Sequence, residues 1–285
     1  ALIPRMERSL NNTPSTNVAG EYELNTQIAS SGFKKTDVES GAILDTILEL
    51  KAATNDFGEG AGNVKELTQN LGMIVKASGS AAPSAAELKN VGSMAVSLFE
   101  ATDIQAHDLK QIAPKIGVLG NYGLSTQESL GAYAAAGESL GYSKVDTGLT
   151  QAVTRLSTAA AFKERAEALE TLGVKPSEVA MTPGGIGFMQ AFDLLRSRSS
   201  KLDPAKRNEA FSKLFGEEGT PTASYLTSDA GSKHTKDMIE IAGDSTAFKR
   251  NVTRFRESRY ASQQRSKNQD EFANMNLDKK TGGYS

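Results

Sequence analysis

The sequence predicts an all-α protein: a multi-helix bundle or elongated helical array with short Gly/Pro loops, an extended N-terminal arm and a long C-terminal helix. Three observations predict it. First, a cap residue followed three positions later by an acid recurs at Thr36/Glu39, Ser84/Glu87 and Ser125/Glu128, with weaker versions at Asn63/Glu66 and Ser143/Asp146. Such a pair satisfies two orphan backbone donors reciprocally at a helix start. Second, apolar residues behind these caps return every three or four positions, the spacing of one helix face. Third, nothing comparable alternates with the period of two that a half-buried strand requires, and Val/Ile-rich runs bounded by turns are missing.

Taken in order, residues 1–35 are rich in Asn, Ser and Thr and lack sustained periodicity, so they read as an extended polar arm. From Thr36 the character changes. Val38, Ile43, Leu44, Ile47 and Leu48 share a face, as do Leu88, Val91, Met94, Ala95, Leu98 and Phe99. Val145, Leu149, Val153 and Leu156 form a further stripe, continued by Phe162, Ala166, Leu169 and Leu172. Glycine punctuates the helix ends in "GVLGNYGLS" (117–125), "SLGYS" (139–143) and "LGVKP" (172–176). Gly adopts the left-handed conformation that closes a helix, and Pro does not continue one. Residues 36–200 therefore form a helical core. In the connection 201–243, Asp203 and Pro204 offer a cap and a first-turn proline for a short helix, and 217–233 reads as a loop. The chain closes, over 244–285, with a long basic helix and a frayed tail.

Composition excludes several functions. With no Cys there is no disulfide, thiolate metal site or Cys nucleophile, and a net charge of −2 marks neither a dedicated nucleic-acid binder nor an acidic tail. The hydrophobic share of 38% without any Trp is thin for a compact enzyme and ample for helices with Ala-rich contacts. No apolar run approaches the ~18 residues of a membrane span, and the chain reads as soluble. The start at Ala1, with no apolar signal segment, reads as a processed end or a portion of a longer chain.

Four motifs invite chemistry. "ETLGVKPSEVAMTPGGIGFMQAF" (170–192) places a Glu before a Pro/Gly passage and Gly-Phe-Met-Gln, as a peptidoglycan-cleaving lytic transglycosylase does, with Glu170 or Glu178 as the acid. That acid needs a raised pKa against an apolar wall. Glu170 instead falls beside the stripe of Leu169 and Leu172, on the polar side, and is followed by Thr171 where that enzyme family has Ser. "GESLG" (137–141) matches a serine nucleophile elbow, with Asp203 or Asp229 and His234 in the chain order of a triad, but Ala-rich helix precedes it where a strand is needed. "GEGAGN" (58–63) follows a helix and is a turn, not a dinucleotide fingerprint. His107 and His234 stand far apart without partner ligands, so neither metal nor cofactor is expected, nor a small-molecule substrate or any catalytic residue. The remaining candidate is "KRNVTRFRESRYASQQR" (249–265), whose bases Lys249, Arg250, Arg254, Arg256, Arg259 and Arg265 face one acid, Glu257. This is an interaction surface for acidic protein, with a helical nucleic-acid-binding adaptor as the alternative.

One further signal comes from an ordered series between about Asn63 and Arg198. It comprises "LKQIAPKIGVLGNYGLSTQESLGAYAAAGESLG", "VDTGLTQAVTRLSTAAAFKERAEALETLGV" and "KPSEVAMTPGGIGFMQAFDLLRS". The series resembles the core region of phage tail tape measure proteins: paired helices around a Gly turn, a Lys-rich helix closed by Leu-Gly-Val, and a Pro/Gly loop leading to Leu-Leu-Arg. The resemblance implies a structural virion protein made in the host cytoplasm and carried inside the tail tube or at the tail tip. It implies a part in tail assembly and tail length, and release during genome ejection. Its implied partners are the tail tube protein, tail tip or baseplate hub proteins and other copies of itself, with transient contact to DNA or the host envelope. It carries over no catalytic residue.

Overall fold

The computed structural model describes residues 2–54 and 64–281, and among them are sixteen α-helices and no strand. The helices sort into two compact units. Unit 1 comprises residues 1–76, 80–96 and 245–285; unit 2 comprises 97–244 with 77–79.

Unit 1 begins with α1 (Leu2–Asn12) and α2 (Val18–Ser30), so the segment read as an extended arm is helical. The apolar positions there are few, but Met6 and Leu10 on α1 and Val18, Leu24 and Ile28 on α2 are all buried. Tertiary burial of one face supplies what a polar, Asn-rich sequence lacks in intrinsic stability. Asn17 caps α2 by accepting from the Gly20 amide at 2.8 Å.

Next come α3 (Lys35–Ser40), α4 (Ala42–Ala53), α5 (Val64–Ala77) and α6 (Ala85–Ala101). Thr36 is not the expected cap, because α3 already starts at Lys35. Its neighbour Asp37 caps α6 instead, accepting from the Ala85 amide at 2.9 Å, and that bond holds the Asp37 carboxyl below the usual range. The Ser84/Glu87 box forms as read, with Ser84 N donating to Glu87 Oε2 at 2.8 Å and Glu87 N to Ser84 Oγ at 3.2 Å. Asn63 and the "GEGAGN" turn lie outside the described residues.

Unit 2 contains α7 (Ala106–Gly120), α8 (Thr126–Leu140), α9 (Tyr142–Ser157), α10 (Lys163–Thr171), α11 (Pro176–Val179), α12 (Phe188–Ser199), α13 (Pro204–Leu226) and α14 (Asp229–Gly243). Its centre is α8, where every residue from Ser129 to Gly137 is buried. A helix covered on all sides must offer small residues, and here Gly131 lets the α14 backbone approach so closely that an added Cβ would lie 2.6 Å from Ile239 Cα. The pairing of α9 with α13 uses the same device: a Cβ on Gly148 would meet Thr222 and the Glu218 carbonyl, and one on Gly219 would lie 3.3 Å from Ala152 N. The Ala- and Gly-rich surfaces thus serve helix packing within the chain.

Several boundaries follow the sequence closely. The Ser125/Glu128 box forms, and Asp203 caps α13 through the Ala205 and Lys206 amides with Pro204 in the first turn. Gly173, at φ 75°, ends α10 with its amide on Glu170 O and the Val174 amide on Leu169 O, a 6→1 closure over two buried side chains. Others differ. Ser143 lies inside the first turn of α9, which Gly141 precedes as cap. The expected loop at 217–233 is mostly helical, because Gly219, Thr222, Ala223 and Leu226 are buried and packing overrides the local breakers. Gly216 kinks α13 at φ 70°, ψ −178°, a region essentially restricted to glycine.

Ser97 Oγ donates to the Asp244 carbonyl at 2.5 Å, joining the two ends of the 97–244 segment. The chain then returns to unit 1 as α15 (Thr246–Glu257) and α16 (Arg259–Thr281). The expected single long helix is therefore two. Ser258 breaks it with extended backbone, and its Oγ accepts from the Ala261 amide at 3.1 Å.

Candidate interaction surface

The six basic positions read as one surface lie on α15 and the start of α16. On α15 the helical period separates two faces. Phe248, Asn251, Val252 and Phe255 point inward, with Asn251 Nδ2 donating to the Ala53 carbonyl at 3.3 Å. Lys249, Arg250 and Arg254 are exposed on the opposite side, as is Arg259 at the start of α16. Lys249, Arg250 and Arg254 line a shallow groove with Thr246, Thr253 and Glu257. Arg254, near the helix C-terminus, also complements the negative end of the helix dipole.

Arg256 and Arg265 do a different job. Arg256 donates from Nη2 to Thr13 Oγ1 and Glu49 Oε1, both at 2.8 Å, and from Nε to Thr13 Oγ1 at 3.1 Å. Glu49 also receives Lys89 at 2.7 Å. Arg265 donates to the Asn11 and Arg256 carbonyls at 3.0 and 2.9 Å, and Asn268 Nδ2 donates to Thr16 O at 3.2 Å. These two bases are fasteners that hold residues 11–16 to the C-terminal helices. Sequence reading missed this because partners more than 200 positions away leave no local pattern.

The distinction is measurable. Arg256→Met keeps the aliphatic stem but removes the charged hydrogen bonds, each worth ~1.5–3 kcal/mol when shielded. With the side chain 37% exposed, a loss of about 1–2 kcal/mol is expected in urea unfolding. Lys249→Met, on the outer face, is expected to stay within ~0.5 kcal/mol of the parent.

The motifs that invited chemistry are placed as follows. Glu170 is exposed on α10 and Glu178 on α11, where its Oε2 accepts from the Lys175 amide at 2.7 Å. Neither has the apolar wall that a catalytic acid requires. "GESLG" closes α8, a helix end and not a strand-to-helix elbow. His234 is engaged by Glu138, at 3.1 Å from Nε2, and by Tyr225 Oη, at 2.8 Å from Nδ1; burial raises the Tyr225 phenol above its ordinary value, so it stays neutral. Asp229 pairs with Arg196 at 2.5 Å and Asp203 caps α13. His107 lies 3.3 Å from Asp108 on α7. Among the described residues no group of three His, Cys, Asp or Glu side chains is arranged to hold a metal ion, and no helix is long and apolar enough to cross a membrane.

Helices alone, fastened by long-range polar contacts and carrying a basic helix face, define the molecule as an all-α helical array. The model of the phage-related minor tail proteins matches residues 8–216, well over half of the 285, and the chain belongs to that family. It is a structural component of a phage tail. Comparisons with curated proteins and with solved structures give no match.

Proposed function

We propose that this chain is a tape-measure core module that acts in assembling the tail tube and tail tip, without catalysis. The observation that carries this reading is the overlap between the family match at 8–216 and the ordered motif series at 63–198. In this reading the partners are the tube protein, tip or baseplate proteins and other copies of the chain. The exposed Lys249, Arg250, Arg254 and Arg259 offer a surface to acidic partners, including DNA passing through the tail.

A contribution to tail length requires reach. The longest described helix without a break, α16, has 23 residues, about 35 Å at about 1.5 Å per residue, and the helices fold back on one another. One continuous helix of the whole chain would reach about 430 Å. Length control therefore belongs to an extended form of the module present during assembly, or to the longer assembly in which it is set, and release during genome ejection comes afterwards.

Quantitative mass spectrometry of gradient-purified particles tests the proposal. A few copies per tail, in fixed ratio to the tube protein, is the expected result. Absence from assembled tails would overturn it.

A further inference from the structure

Among the described residues of unit 1, Glu21 is the buried acid that the packing leaves without a use. It sits on α2, fully inaccessible to solvent, and neither carboxyl oxygen accepts a hydrogen bond. A carboxylate in that position has lost its hydration and gained no donor, which makes the charged form very costly.

Its charged surroundings are few. From α4, Asp45 adds a like charge that disfavours ionisation; from α1, Arg5 acts in the opposite sense. Arg5 is committed elsewhere, since it donates from Nη1 to the carbonyls of Val38, at 3.2 Å, and Glu39. On α16 the buried Asn268 and Phe272 carry no charge, and Arg265 is spent on backbone carbonyls. The site is thus balanced with one acid, Asp45, against one base, Arg5, provided that Glu21 keeps its proton.

We propose that α1 and α2 form a releasable clasp on unit 1, closed over the uncharged carboxyl of Glu21 and loosened when that carboxyl ionises. Burial first, then Asp45, lifts the Glu21 pKa from 4.5 to about 8. The closed form therefore holds one proton more than the open form between those values. The sign follows: closure is most favourable below pH 4.5, weakens steadily as pH rises, and levels off above about 8. The helices it frees carry the buried Met6, Leu10, Leu24 and Ile28, so opening uncovers an apolar face otherwise hidden against α4 and α16.

Amide hydrogen exchange of the full chain between pH 5 and 9, corrected for intrinsic exchange, tests this. The opening constant for α2 amides is expected to climb by on the order of tenfold per pH unit up to about pH 8. Glu21→Gln, which fills the same space without a titrating proton, is expected to flatten that slope. Asp45→Asn is expected to move the plateau to lower pH by removing the like charge. A wild-type opening constant that stays level across the window would overturn the proposal. So would an unchanged slope in Glu21→Gln, or, if that variant does not fold, an unmoved plateau in Asp45→Asn.

Discussion

Phe192→Ala is expected to cost unit 2 about 3–5 kcal/mol. Phe192 is fully buried and central in a row of four rings. Its centroid lies 5.2 Å from that of Phe188, edge to face, and 6.3 Å from that of Phe215, which in turn meets Phe211 at 5.4 Å. The row joins α12 to the end of the α13 segment ahead of the Gly216 kink, so truncating its middle member removes ring contacts on two sides. The surrounding helices are held by other contacts and collapse only partly into the cavity. Because the whole stability of a domain is about 5–15 kcal/mol, a calorimetric melt should show a large fall or no cooperative transition. A loss under ~1 kcal/mol would mean that the row is not a packed unit.

Gly131→Val is expected to be nearly as damaging, ~3 kcal/mol or more, through the opposite fault. Here there is no cavity to leave but no room to enter. The nearest atoms to an added Cβ are the backbone Cα and N of Ile239, at 2.6 and 2.7 Å, and backbone cannot rotate aside as a side chain does. The helices α8 and α14 would have to separate along their length, breaking the bond from Gln127 Nε2 to Ile239 O. Replacing a helical glycine normally gains up to ~1 kcal/mol, which only partly offsets the clash. Gly120→Ala provides the control, since a Cβ there meets nothing within 4 Å. Denaturant midpoints should separate the two variants clearly.

The contrast between these residues and the basic stretch shows what a sequence makes legible. Phe188, Phe192 and Leu195 announce a helix by spacing alone, and the same pattern that brings a sugar-cleaving motif to mind is the inner face of α12. Ser84, Ser125 and Asp203 are readable as caps because cap and amide are only two or three positions apart. Local signals fail where the deciding partner is remote. Pro221 and Gly219 look like loop residues until Gly148 and Ala152 of α9 are brought against that segment. Arg256 looks like surface until Thr13 and Glu49 arrive. Glu21 stands three residues from both Val18 and Leu24, on the face that α2 buries, but in so polar a segment those few apolar positions do not announce that face.

The bond between Ser97 and Asp244, and the fastening of residues 11–16 to Arg256, Arg265 and Asn268, have a mechanical consequence. When the chain is pulled from its two ends, the force enters and leaves through unit 1, whose first and last helices are tied side by side. Residues 97–244 form a loop in the chain whose two ends the Ser97–Asp244 bond already joins, so tension bypasses the interior of the segment until the bond parts. Stretching should therefore proceed in a fixed sequence: the terminal ties yield first, and the segment from 97 to 244 pays out afterwards as one length of slack.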